Sequence, residues 1–277
     1  TAGVAIADPS SSIRERRTSA RRPMWVRVAA PALVAVLFLA AWETLIRWKE
    51  VQPYVAPAPS AVSATLVDQW GALGPAWLVT VRTMLLALML AVAGGLLLAV
   101  LFAISPAIEL SLFPYAVMLQ VTPLVATAPL LTIWIEQTQV VLLVCAWIVA
   151  FFPILASTTV GLRSADPGLR DLFDLYGASR WQRLRLLLAP TALPYFLSGL
   201  RTAVNLSLVG TVVAEFATGA TGKQSGLAAA VFEGQYRLDT PLMFAALALI
   251  ALTGIIGYFA THLLSRWLLA GWHESTL

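Results

Sequence analysis

Charge is scarce in this chain. Only 12% of its 277 residues are Asp, Glu, Lys or Arg, while 59% are hydrophobic. A soluble domain averages about 25% charged residues. So few charges cannot solubilise a compact body of this length, which excludes an ordinary cytosolic enzyme and equally a disordered chain. Cysteine is nearly absent too: Cys145 stands alone inside an apolar run, so no intrachain disulfide can form. Histidine occurs only at His262 and His273, with no Cys/His cluster or HExxH to hold zinc. A nucleotide-binding loop is missing as well. Gly222-Lys223 is followed by Gln224 where Ser or Thr is needed, and Ala217 stands where the earlier Gly belongs. What remains is a polytopic, all-α membrane protein.

The sparse charges mark the spans. Long uncharged stretches separate Arg82 from Glu109, Glu109 from Glu136, Glu136 from Arg163, and Asp239 from Arg266. Each exceeds the ~20 residues that cross a hydrocarbon core of about 30 Å, so each reads as one tilted helix with its turn. A first span lies between Arg27 and Arg47, and another runs from Pro190 to Phe216, which makes six. Arg14, Arg16, Arg17, Arg21, Arg22 and Arg27 precede span one. Arg163, Arg170, Arg180, Arg183 and Arg185 follow span four, and Arg266 follows span six. Six spans put these three regions on one side, which the positive-inside rule makes cytoplasmic, together with both termini. The net charge of +4 is accounted for by this topology, without nucleic acid. Trp25, Trp42, Trp48, Trp77, Trp134 and Trp267 fall near span ends, where interfacial aromatics belong.

Residues 1–23 form a basic, Ser- and Ala-rich arm without apolar periodicity, expected to be disordered and to anchor a retained first helix rather than act as an export signal. The first transmembrane helix covers 24–48. Residues 49–78 form an outer loop, in which Pro53, Pro57 and Pro59 forbid a continuous helix and Ala61 to Trp70 can lie as a short helix on the surface. Residues 79–277 hold the other five spans. Glu43 and Arg47 are spaced for a local ion pair.

The segment from Arg163 to Pro190 carries the functional signal. Asp166-Pro167 is a helix start. Leu169, Leu172, Phe173 and Tyr176 then repeat at helical spacing. Asp171 and Asp174 precede Arg180, Arg183 and Arg185, an order that suits the helix dipole. Gly177 interrupts this pattern, at about 1 kcal/mol against Ala, and admits a bend or a close approach. Pro190 is expected to end the segment at the membrane. Such a loop lies either on the bilayer surface or against a soluble partner.

Asp171-Leu172-Phe173, Gly177, Leu187 and Ala189-Pro190 resemble, in register, the coupling motif of permease subunits of bacterial ABC importers. That motif reads Glu-Ala-Ala, then Gly, then Ile, then Leu-Pro; here Asp replaces Glu, Leu and Phe replace the alanines, Leu replaces Ile, and Ala replaces Leu. Pro57-Ala58-Pro59-Ser60, Thr122-Pro123-Leu124, Phe152-Pro153-Ile154, Gly199-Leu200-Arg201, Val213-Ala214-Glu215-Phe216 and Gly271-Trp272-His273 are similar to the nitrate/sulfonate/taurine-type branch of that family. Ile133-Trp134-Ile135-Glu136-Gln137 departs from it, where the branch has Trp-Phe-Gly.

The resemblance implies the type I importer permease fold in the bacterial inner membrane. It implies two permease copies, two cytoplasmic ATP-binding subunits that hold ATP and magnesium, and a periplasmic or lipid-anchored solute-binding protein. This chain would bind no cofactor and catalyse no bond chemistry. Asp171, Tyr176, Gly177, Ala178, Ser179 and Pro190 would contact the ATPase.

Polar side chains inside spans rarely face lipid. Gln120, Thr122, Asn205 and Thr211 are candidates to line a path or to bond between helices, and Glu215 to be a gate, an ion pair or a solvated end. Gly199 and Gly210 allow close helix approach. A stand-alone secondary transporter or channel is the competing reading. It needs a buried coupling-ion site, and the central thirds of spans two, three, four and six hold no Asp or Glu. The solute itself, whether a sulfonate, nitrate, bicarbonate or a heterocyclic vitamin precursor, stays open.

Overall fold

The computed structural model describes residues 24–219 and 225–270, with side chains from residue 29. The basic arm, the side chain of Trp25, the Gly222-Lys223 pair and Gly271-Trp272-His273 lie outside the described residues. Among those described there is helix and turn but no strand. The chain divides into two units, residues 1–51 and 52–277.

The first unit is one apolar helix, α1 (Met24–Trp48), with Pro31 in it. Glu43 and Arg47 form the expected pair at 2.6 Å, and Phe38 packs on Trp42 one turn away. A single helix has no core of its own.

The second unit opens with α2 (Pro59–Asp68), close to the short helix expected at 61–70. Its start uses Pro59 in the first turn, where a missing N–H costs nothing. Then comes α3 (Trp70–Ile104), 35 residues long. At 1.5 Å per residue it spans about 52 Å, far more than a bilayer core. It begins well before Arg82, inside the stretch 49–78 expected as outer loop. Uncharged helix continues past the span because α10 and α11, described below, pack on its first turns.

Span three is not one helix. The chain forms α4 (Pro106–Val121) and α5 (Leu124–Trp134), bent by 102° at the break. Pro123 withdraws an N–H and forces Thr122 into extended backbone at φ −64, ψ 124. The Thr122 hydroxyl donates to the Met118 carbonyl at 2.7 Å, engaging a group near the helix end. With this bent pair taken as one span, the count of six holds.

After α6 (Thr138–Arg163) the loop forms α7 (Pro167–Leu175) and α8 (Arg180–Arg183). A π-helical turn over Leu184–Leu188 leads without a stop into α9 (Ala189–Thr218), so helix is continuous for 39 residues from Arg180 to Thr218. Pro190 therefore does not end the segment. Its missing N–H falls directly after the π turn, where the regular hydrogen-bond ladder is already shifted. Last come α10 (Leu227–Arg237) and α11 (Thr240–Leu269), the latter capped by Asp239, which accepts from the Leu242 N–H at 3.1 Å.

The core is built on small residues. Lipid is as apolar as leucine, so helices associate in a membrane by close packing. Ala87, Ala91, Gly95 and Ala99 make a buried stripe on α3 at four-residue spacing. On the other side of α6, Gly199 lies so near that an added Cβ would stand 2.7 Å from the Pro153 carbonyl oxygen. At Gly210 a Cβ would stand 3.1 Å from the Ala146 Cα, so both expected close approaches are present. Gly199→Val is expected to pry α6 from α9, costing about 1–3 kcal/mol as overpacking does. A thermal unfolding midpoint in detergent several degrees below wild type would show it.

Candidate sites at the two ends of the bundle

At one end lies the loop between α6 and α9, and its local chemistry is fully specified. Asp166 caps α7, its Oδ1 accepting from the Gly168 N–H at 2.7 Å and the Leu169 N–H at 3.3 Å. The Arg170 guanidinium donates to the carbonyls of Leu162 at 3.3 Å and Arg163 at 2.7 Å, which closes the open end of α6 and fastens α7 beneath it. Arg163 itself pairs with Glu109 in the first turn of α4.

Gly177 does not sit inside a helix. It terminates α7 at φ +65. The Gly177 N–H donates to Asp174 at 3.0 Å and the Ala178 N–H to Phe173 at 2.9 Å. This is the paired reverse bonding of a left-handed C-terminal cap, which favours glycine. A Cβ there would meet no atom within 4 Å, so backbone conformation, and no close approach within this chain, requires the glycine. Two residues on, Ser179 starts α8 with a reciprocal cap. Its Oγ accepts from the Gln182 N–H at 3.2 Å, and the Gln182 Oε1 accepts from the Ser179 N–H at 2.8 Å. Arg183 on α8 pairs with Asp174 on α7 and closes the corner.

The result is a helix–turn–helix with an apolar tip. Leu175 and Tyr176 are 85% and 83% exposed, and Trp181 is 67% exposed. Asp171 and Ser179 are exposed beside them, and Ala178 is half-buried. Pro190 stands apart, roughly 16 Å along the helix from Ser179. The sequence reading missed the Asp174–Arg183 pair and the division of this loop into two helices. The Ser-Arg-Trp-Gln spacing was the available signal for the second start.

The five intramembrane candidates divide by position. Gln120 and Thr122 are exposed at the α4–α5 break, and Asn205 is exposed on α9. The side chains of Gln120 and Asn205 bond to no other described residue. Beside the break an apolar pocket of about 210 Å³ is lined by Leu119, Thr122, Leu124, Thr127, Trp134 and Ile148. Thr211, by contrast, is fully buried, and its hydroxyl donates to the Ser207 carbonyl at 2.8 Å. It lines no surface of this unit, because its face of α9 is pressed on a neighbouring helix.

Glu215 is shielded from solvent, and among the described residues it forms no ion pair. It is 2% exposed near the end of α9. One carboxylate oxygen accepts from the Thr80 hydroxyl at 2.9 Å, the other from the Ala228 N–H at 3.0 Å. Thr80 in turn accepts from the Leu227 N–H at 2.9 Å. The carboxylate thus caps α10 and ties it to α3 and α9. A Cβ at Gly226 would fall 1.9 Å from Glu215 Oε1, so any other residue there displaces the carboxylate from these bonds. Thr80 and Gly226 carry no local sequence signal for this role, since the partners are distant in the chain.

Comparison with known proteins places this geometry. The family described as binding-protein-dependent transport system inner membrane component matches residues 91–270. The chain belongs to that family. Among its relatives, the riboflavin transport system permease protein of Chloroflexus aurantiacus is 33% identical over 277 residues, covering 96% of this chain and 98% of the relative. The formylaminopyrimidine transport permease protein of Halalkalibacterium halodurans is 30% identical over 240 residues, 86% and 94% of the two chains. Permeases named for sulfonates, taurine and nitrate match at lower identity. In three dimensions the permease is similar to a solved amino acid ABC transporter chain, with a TM-score of 0.60 at 18% identity, over 73% of this chain and 97% of that one. The chain is thus a membrane-spanning transport permease of the ABC importer family, with the fold that the resemblance implied.

Proposed function

We propose that this permease forms, with a second copy of itself, the path for a small solute delivered by a binding protein, and that two separate ATP-hydrolysing subunits dock on its loop 163–190. ATP and magnesium would be held on those subunits. The helix–turn–helix at Leu175–Gly177 carries this reading. It exposes large apolar side chains on a corner that caps and an ion pair hold rigid, which is the preorganised anchor a docking surface needs. Asp171 and Ser179 flank the tip and would form the polar rim, whereas Pro190 would only set the helix on which the corner stands.

The broken backbone supports a path at the α4–α5 break. Broken backbone does not face lipid; it is tolerated where protein covers it or water fills a cavity. A second copy and a solute path would supply both, with Gln120, Thr122 and Asn205 towards the solute. All three are uncharged. Together with the names of the two relatives given first, they favour a heterocyclic solute of the vitamin or vitamin-precursor kind over a sulfonate or nitrate. Thermal stabilisation of the cognate binding protein by riboflavin or an aminopyrimidine, and none by taurine or nitrate, is the expected result. The reverse order would remove the heterocycle.

The loop and both termini would face the cytoplasm. In a Cys145→Ala background, a cysteine at Tyr236, at the exposed end of α10, is expected to react with an impermeant thiol reagent applied to cells, and a cysteine at Tyr176 only after lysis. The opposite pattern contradicts the orientation.

A further inference from the structure

We propose that Glu215 is a positioning residue that makes α10 and α9 move as one body, so that contact with the binding protein at one end of the bundle reaches the docking corner at the other. This rests on the importer reading above.

Capping α10 does not by itself call for a buried carboxylate. A neutral Ser, Thr or Asn next to the helix caps as well, and burying an ionisable group away from water is expensive unless it is fully bonded. Here the carboxylate comes from another helix, thirteen positions before Ala228. Thr80 is held by the Leu227 N–H while it donates to Glu215. The two oxygens therefore hold α3 and α10 to α9 at once. Gly226 leaves the room this needs, since any side chain there would strike the carboxylate.

What lies at each end of α9 gives the joint its meaning. Below Glu215 helix is uninterrupted as far as Arg180, which stands directly after the capped corner at Gly177–Ser179. At the other end α10 finishes in an exposed surface, with Tyr236 in its last turn 86% exposed and Leu238 directly after it 73% exposed. The Thr240 hydroxyl at the start of α11 donates to the Tyr54 carbonyl at 2.6 Å, which fastens the segment before α2 to the same region. A partner that shifts α10 must either break the Glu215 bonds or carry α9 with it. Phe216 on α9 also packs edge-on against Phe232 on α10, with ring centroids 4.9 Å apart, but an apolar contact can slide where directional bonds cannot. Without those bonds α10 can shift while α9 and the corner stay still. The alternative role is that of a plain structural cap, which stabilises the fold and transmits nothing.

The test uses the purified complex of permease and ATPase, compared at equal subunit ratios. ATP hydrolysis is measured with and without loaded binding protein for wild type, Glu215→Gln, Thr80→Val and Thr80→Ser. Glutamine keeps the size, but it either sets its amide N–H against the Ala228 N–H or turns it to the Thr80 oxygen, which reverses that bond and leaves the Thr80 O–H without its acceptor. Valine keeps the shape of threonine without its hydroxyl, and serine restores the hydroxyl. The expected result is that stimulation by binding protein falls by roughly five- to tenfold in Glu215→Gln and Thr80→Val, as losing one coupling interaction does. Thr80→Ser responds as wild type, and hydrolysis without binding protein stays at the wild-type level in all four. Undiminished stimulation in Glu215→Gln and Thr80→Val overturns the proposal. So does a parallel loss of assembly and of basal and stimulated hydrolysis, because a plain cap behaves that way. If the wild-type complex itself ignores loaded binding protein, the importer reading falls first and this joint with it.

Discussion

Leu175→Asp combined with Tyr176→Asp is expected to strip the ATP-hydrolysing subunit from the purified permease while the permease still inserts and folds. Both side chains project into solvent at the corner between α7 and α8, so their loss leaves no cavity inside the chain. The corner keeps its shape, because the caps at Asp166, Gly177 and Ser179 and the Asp174–Arg183 pair use neither side chain. A buried anchor in an interface is worth about 2 kcal/mol or more when truncated. That is roughly a 30-fold loss in affinity for each residue, and a carboxylate forced into an apolar groove adds a desolvation cost. Co-purification of the ATPase by tag on the permease reads the result directly. Full recovery of ATPase with the double variant would show that the tip is not the contact.

The second large effect is conformational, and it discriminates sharply between a mid-helix glycine and a left-handed cap. Were Gly177 inside a helix, Ala would stabilise it by close to 1 kcal/mol and Asn by only a few tenths. At φ +65 the order reverses. Asn tolerates the left-handed region, Ala pays roughly 1–2 kcal/mol for its Cβ, and a branched side chain pays more. Transport and ATPase recruitment are therefore expected to fall in the order Gly, Asn, Ala, Val, with membrane insertion equal throughout. Because a Cβ here has open space around it, the penalty is strain in the turn alone. The variants are rescued by nothing that merely makes room nearby. An Ala variant that outperforms Asn would contradict the cap.

The membrane makes some features of this chain legible and hides others. Spans could be placed from the intervals between Arg82, Glu109, Glu136 and Arg163 because a charge in hydrocarbon is costly enough to be confined to the ends. The start at Asp166-Pro167 was legible because caps are local, a matter of residues two or three apart. The 102° bend was not: Thr122-Pro123 announces a break, but its angle depends on what packs on either side. Gly177 was misread as a mid-helix interruption because apolar spacing alone does not show where one helix stops and another begins. Glu215 was noticed as an intramembrane carboxylate, yet its partners Thr80 and Ala228 are fixed only when α3 and α10 meet at the end of α9. Local chemistry could be read from the string of residues, and long-range pairing could not.

Hydrolysis and uptake followed in one preparation test ATP-driven import most directly. The permease is reconstituted into sealed vesicles with its ATPase, and loaded binding protein is added on the face opposite the ATPase. Solute is expected to enter only when ATP is present on the ATPase side, loaded binding protein to raise hydrolysis several-fold, and an imposed proton or sodium gradient to change neither. Uptake by the permease alone, driven by such a gradient and indifferent to ATP, would contradict ATP-driven import and establish the secondary transporter instead.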